Sequence, residues 1–305
     1  MSRDPVIIIV EPYGGSARRQ MPQMPHIYWD DLGVTRGDGI FESILIHAGH
    51  ACNLAAHHQR FARSAAARDL PNGVDAIRAA TQLAIDTWVE HCHGEHVDAK
   101  MVWTLTRGRP STGHPTAWIT VTELGESAAA QEKGVKVLLA GKGFTLHPEV
   151  APWATEAAKT LGYAATLAAL RAAHAHGLDD VIWVDGDRVL EGSTSSVVTV
   201  KGMKIRTPKP GIDVLPGTTQ QAIFDVCGEA GYRCSERDLT VAILQEADSV
   251  WLVSSTRGPI PVRALADGRS GLPVANRKQE LELTKLRPEI DPKLTELFWS
   301  ALHRR

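Results

Sequence analysis

The sequence lacks the features that would tie it to a membrane, a metal or a nucleic acid. Its four cysteines, Cys52, Cys92, Cys227 and Cys234, form no CxxC pair and have no metal-like spacing with histidine. Four scattered thiols in 305 residues point to a reduced cytoplasmic protein with inert buried thiols. Cys227 and Cys234 are still near enough in sequence to pair across a turn. An excess of one charge is missing: the formal net charge is −2 and the arginines are scattered, so no electrostatic feature favours nucleic acid or an anionic membrane. Long apolar runs are missing too. The longest early one, Val6 to Val10, is too short for a signal-peptide core or a bilayer span and reads as an opening strand. There is no internal repeat and no low-complexity segment.

What is present is an ordinary globular composition, 43% apolar and 22% charged, over a length that suits two domains. Such a chain has enough apolar material for a core without disulfide or metal staples. Strands are expected at 6–10 and 41–46, with Ala48-Gly49-His50 turning the second back through 51–54. A helix fits Leu54 to Arg68, with Asn53 as N-cap and Leu54, His58, Phe61 and Ala65 down one side. A second helix fits Val74 to His91, and strands fit 100–106, 117–122 and 135–140.

From Gly141 to Trp153 glycines and prolines break every period, which places an interdomain linker at 141–153 between domains 1–140 and 154–305. Beyond it, Glu156 to His176 is alanine-rich and reads as helix. Strand, turn and strand follow across 181–190, then strands at 197–200 and 204–206. A helix starts near Thr218, a strand covers 249–254 after another short helix, and a terminal helix begins at Pro292. The order is α+β, a small N-terminal domain and a larger C-terminal one, rather than regular βαβ alternation.

Four segments hold groups that a phosphorylated aromatic cofactor needs. Arg60, on the first helix, has a planar fork suited to phosphate; taken alone it reads more simply as a solvated arginine. Lys159, flanked by alanine and leucine, is expected to be partly desolvated and so nucleophilic toward an aldehyde. In helical geometry Tyr163 would lie one turn away on the same face. A lysine snorkelling from an alanine-rich helix fits that segment equally well. Glu191, ending a strand before Gly192-Ser193-Thr194-Ser195, suits the partner of a pyridinium nitrogen, or is a plain strand-end glutamate. Leu215-Pro216-Gly217-Thr218-Thr219 opens a helix with free amides and hydroxyls, an anion site. Ser254-Ser255-Thr256 follows a strand and adds donors.

In this order these blocks resemble the fold-type IV pyridoxal-phosphate enzymes, the family of branched-chain aminotransferase, aminodeoxychorismate lyase and D-amino-acid aminotransferase. The resemblance runs from about Trp29 to Val262 and includes Gly37-Asp38-Gly39-Ile40-Phe41-Glu42, His57-x-x-Arg60-Phe61, Lys159, Glu191-Gly192-Ser193-Thr194-Ser195, Leu215-Pro-Gly-Thr-Thr and Ser254-Ser-Thr. It implies pyridoxal 5'-phosphate as cofactor, Lys159 as its Schiff-base lysine and proton shuttle, Arg60 on the phosphate and Glu191 on the ring nitrogen. It further implies Leu215 against the ring, and Thr218, Thr219 and Ser255 in the phosphate cup with Thr256 beside it. Tyr163 is placed near the ring oxygen, a homodimer is implied, and no metal is.

The lead expectation is an aminodeoxychorismate lyase-like enzyme releasing pyruvate and 4-aminobenzoate. An aminotransferase of branched-chain or D-amino acids is the close alternative, and a non-catalytic interaction module the distant one. Two departures bear on substrate: Arg36 stands where many relatives have an aromatic before Gly-Asp-Gly, and Ser196-Val197 stands where asparagine is common. A substrate carboxylate in a closed pocket needs a cation. Arg107 is favoured for it, with Arg36 second and Arg109 third.

Overall fold

The computed structural model describes residues 3–12, 16–71, 73–125, 128–142, 158–271, 281–286, 288 and 290–304. It divides into two compact units, the first formed by the described residues of Met1–Gly125, Ala158–Gly162 and His303–Arg305.

The first unit contains β1 (Val6–Val10), β2 (Ala17–Gln20), α1 (Leu32–Arg36), β3 (Gly39–His47), β4 (His50–Ala51), α2 (Leu54–Ala67), α3 (Val74–His91), β5 (Ala99–Arg109) and β6 (His114–Glu123). Its six-stranded sheet has the order β2-β1-β6-β5-β3-β4 with antiparallel neighbours throughout. Period-two alternation explains the core: Val6, Ile8 and Val10, with Met101, Trp103 and Leu105, join Phe61 of α2 and Ile77 and Trp88 of α3 in one buried cluster. The buried stripe of α2 is His57, Arg60, Phe61, Ser64 and Ala65. It therefore puts two polar side chains and an arginine inside, where the sequence pattern pointed to Leu54, His58, Phe61 and Ala65. Asn53 sits at the N-cap position with a left-handed backbone (φ 50°) and makes no side-chain cap bond.

The second unit contains α4 (Ala128–Lys133), β7 (Val135–Gly141), α5 (Ala164–Ala175), β8 (Asp180–Asp185), β9 (Arg188–Gly192), β10 (Ser196–Lys201), β11 (Lys204–Thr207), α6 (Thr218–Glu229), β12 (Arg233–Glu236), β13 (Leu239–Thr240), α7 (Val241–Glu246), β14 (Ser249–Ser254), β15 (Gly258–Asp267), β16 (Leu283–Lys285) and α8 (Pro292–Leu302). Its sheet runs β12-β11-β10-β14-β15-β7-β8-β9-β13, with β16 on β15. β7 pairs in parallel with both β8 and β15.

Both faces of this sheet are covered. Val197 and Leu252 point into a cluster with Val241 and Leu244 of α7, while Val198 and Trp251 pack with Ile223 of α6 and Phe298 of α8. Burial on two faces is why these strands read as unbroken apolar runs.

The sequence reading assigns 135–140 to the N-terminal domain, but the ladder of β7 puts it in the second unit, and the first unit's leading stretch ends at Gly125. Most of the expected linker, 143–153, lies outside the described residues. Among the described residues no helix is long and apolar enough to cross a membrane and no cluster of His, Cys, Asp and Glu could hold a metal. All four cysteines are free, Cys227 and Cys234 included. Burial pushes the Cys52 thiol up to about 11 and that of Cys227 up to about 12, so neither is a thiolate at neutral pH.

Candidate active site

Lys159 does not lie on a helix. The helix expected over 156–176 begins only at Ala164; residues 156 and 157 fall outside the described residues. At 158–161 the chain instead runs beside the open edge of β3: Phe41 N donates to Lys159 O at 3.0 Å, Leu161 N to Gly39 O at 3.0 Å, and Ile40 bridges Thr160. Those edge hydrogen bonds override the helix propensity of the alanines around it, as tertiary pairing routinely does. Ser64 of α2 accepts from Lys159 N at 3.1 Å, and the amine lies 4.5 Å from the centroid of the Phe41 ring. The lysine is thus half-buried, held at its backbone and laid over an aromatic face. Tyr163 is not its neighbour on a helical turn. It occupies the cap position of α5 and belongs to the second unit, whereas Lys159 belongs to the first.

Beneath that strand edge lies a buried ionic group. Glu42 is 0% exposed and takes a forked pair from Arg60, Nε to Oε2 at 2.9 Å and Nη2 to Oε1 at 2.6 Å. His57, equally buried, has Nδ1 at 3.6 Å from Glu42 Oε2. Burial alone pushes the Glu42 carboxyl up, but Arg60 and His57 outweigh it and hold the group well below the usual carboxylate range. Arg60 is therefore no solvated helix arginine. Two of its donors serve Glu42, a residue that the sequence reading quoted without giving it a role.

In the second unit Glu191 accepts from Leu215 N at 3.0 Å, and Lys142 Nζ stands 3.8 Å from its other oxygen. The chain thus brings Glu191 and Leu215 together and adds a lysine that sequence reasoning missed because it sits in the irregular stretch after β7. At the start of α6, Thr218 and Thr219 are buried and both face Ser255 Oγ, at 3.5 and 3.0 Å. Gly217 caps α6 without a side-chain bond, so the leading amides of a twelve-residue helix share this corner with three hydroxyls. A methyl group at Gly217 would run into Ser196 Oγ and come within 3.1 Å of Gln220 Cβ. The hydroxyl of Ser195 is buried without a hydrogen-bond partner among the described residues. Thr256 is half-buried in the turn after Ser255.

The three arginines considered for a substrate carboxylate differ in how far they are already engaged. Arg107 gives Nε to Asp38 at 2.5 Å, Nη1 to Asp69 O at 3.0 Å and Nη2 to Arg68 O at 2.8 Å, which ties β5 to the end of α2. Arg109 donates to Asp30 at 2.9 Å and lies 3.9 Å over the Tyr28 ring. Arg36, at the end of α1, is exposed and bonds the adjacent Thr35 carbonyl at 2.7 Å.

The donor set fits pyridoxal phosphate: a lysine amine on an aromatic face, a carboxylate for a ring nitrogen, and a hydroxyl-lined helix N-terminus for a dianionic phosphate.

Comparison with known proteins agrees. The amino-transferase class IV family matches residues 39–265. A bifunctional aminodeoxychorismate lyase / D-amino acid transaminase of Mycobacterium tuberculosis is 38% identical over 81% of this chain and 88% of its own. A D-alanine aminotransferase of Listeria innocua is 28% identical over 79% of this chain and 85% of its own. Among solved structures, a fold IV transaminase from Curtobacterium pusillum superposes with a TM-score of 0.84 at 31% identity, covering 98% of this chain and 97% of that one. A hypothetical aminotransferase from M. tuberculosis in its PLP-bound form gives 0.83 at 33% identity, covering 97% and 98%. The chain belongs to the class IV amino-transferase family and is a pyridoxal-phosphate-dependent enzyme of fold-type IV.

Proposed function

We propose that this enzyme is a 4-amino-4-deoxychorismate lyase that also transaminates D-amino acids. The similarity that spans most of the chain to a relative described as having both activities carries this reading. Bound pyridoxal phosphate supplies an aldehyde for the substrate amine and a ring that withdraws electrons. Lys159 would provide the amine that holds the cofactor and would then accept the proton from the carbon bearing the substrate's amino group. Breaking the ring C–O bond and delivering that proton to the methylene carbon of the departing enolpyruvyl fragment would complete elimination to pyruvate and 4-aminobenzoate; in amino transfer the substrate's amino group would instead end on a 2-oxo acid. Glu191 would keep the ring nitrogen protonated, Leu215 would lie against the ring, and Thr218, Thr219 and Ser255 would hold the phosphate, for which Arg60 is a further candidate cation. Tyr163 and Thr256 would border the bound cofactor.

For the substrate carboxylate we favour Arg36 and Arg109 over Arg107, whose donors are engaged within the fold. We place the enzyme in the cytoplasm, where its thiols stay reduced, and as a homodimer. The decisive assay supplies aminodeoxychorismate and, separately, D-alanine with 2-oxoglutarate. Release of 4-aminobenzoate in the first and of pyruvate and glutamate in the second supports the bifunctional reading. Turnover of branched-chain L-amino acids alone would replace it with the aminotransferase alternative.

A further inference from the structure

The turn after Glu191 and the turn holding Ser255 and Thr256 come from different connections of the second unit, yet one carboxylate ties them together. Asp180 opens β8 and is 1% exposed. Its Oδ1 accepts from Ser193 Oγ at 2.5 Å and from Val181 N at 2.7 Å, and its Oδ2 accepts from Arg257 Nη2 at 2.8 Å. The Ser193 arm is doubled by the backbone, Ser193 N donating to Val181 O at 2.8 Å. On the other arm, Arg257 Nε is buried without a hydrogen-bond partner among the described residues, so the contact with Asp180 is what orients that end of the guanidinium. Ser193 follows Glu191 by two positions, and Arg257 follows Ser255 by two. A buried carboxylate with every oxygen engaged is rigid, because releasing any donor leaves charge unpaired away from water.

We propose that Asp180 is a positioning residue of the cofactor site: through Ser193 it sets the turn behind Glu191, and through Arg257 it sets the turn that carries Ser255 into the phosphate cup. It touches neither proposed ligand itself. The inference rests on the reading of Glu191 and Ser255 as cofactor-binding residues.

Asp180→Asn keeps an acceptor for Ser193 and Val181 but turns an amide toward Arg257, so it releases only the Arg257 arm. Arg257→Gln cuts the same arm from the other side. In reconstituted holoenzyme each should weaken pyridoxal-phosphate affinity about tenfold, the size seen when outer-shell partners of bound metals are lost. Each should also shift the phosphorus resonance of the bound cofactor. Because both cut one contact, the double variant should be no worse than either single one. A purely structural role would lower the melting temperature and leave the phosphorus resonance where it is, and that result overturns the proposal. If Asp180→Asn does not fold, Arg257→Gln carries the same test. Ser255→Ala separates the two levels. If it weakens affinity while Arg257→Gln does not, only the positioning role fails; if it changes nothing, the phosphate-cup reading fails and the proposal falls with it.

Discussion

At the residue scale the chemistry turns on groups that are buried for a reason. Lys159 is held by its own backbone against β3 and Ser64, so replacing its side chain leaves that pairing intact. Lys159→Ala should therefore abolish turnover while the phosphate cup still retains cofactor. Borohydride reduction followed by peptide mass mapping should place the cofactor's mass on Lys159, and a label on another lysine refutes the assignment.

Glu42 and His57 make a second prediction, about pH. The Glu42 carboxyl is held low by Arg60 and His57 against the effect of burial, so its stabilisation is complete above the unfolded carboxylate range and fades as pH falls below about 4.3. Burial also lowers the His57 pKa against the pull of Glu42, so the folded state resists protonating it and loses stability as pH falls below about 6.5. Urea midpoints should be level near neutrality, then decline in two stages on acidification. His57→Gln should shrink the upper stage, to which His303 also contributes. Glu42→Gln strips a buried guanidinium of its partner and should cost about 3–5 kcal/mol.

Arg36 and Arg107 should also part company. Arg36→Ala should raise the Michaelis constant without moving the melting temperature, because that side chain bonds only the adjacent Thr35 carbonyl among the contacts described. Arg107→Ala should lower the melting temperature by loosening β5 from the end of α2. Equal melting temperatures for the two would show that the Arg107 network carries no stability.

At the scale of elements, most of the secondary structure was legible in the sequence. Periodicity and turn chemistry located α3 and β14 at their observed bounds and α6 at its first residue. Where the reading failed, distant pairing had won. The alanines around Lys159 favour helix locally, yet 158–161 pairs with the open edge of β3 instead. Gly39 is where that edge is tightest: a Cβ there would lie 2.7 Å from Leu161 Cδ1 and 2.8 Å from Leu105 O. Gly39→Ala should push the lysine segment off the strand, lowering both cofactor labelling of Lys159 and turnover by more than its loss of stability explains. Wild-type labelling in a folded Gly39→Ala protein would show that the pairing does not set the lysine.

At the scale of the whole molecule, a homodimer is our proposal, on family resemblance, and light scattering that reports a fully active monomer refutes it. The sequence by itself determined the family and the cofactor and pointed to the candidate ligands, since amine, carboxylate, hydroxyl cup and glycine turn are chemical types in a fixed order along the chain. Only tertiary structure decided their surroundings: that Arg60 is buried on Glu42, that Arg107 is tied into the first unit, that β7 belongs with β8 and β15, and that Asp180 joins two turns. These depend on contacts between residues far apart in sequence, such as Glu42 with Arg60 and Asp180 with Arg257. Local propensity and periodicity carry no information about which distant partner a side chain or strand edge will meet.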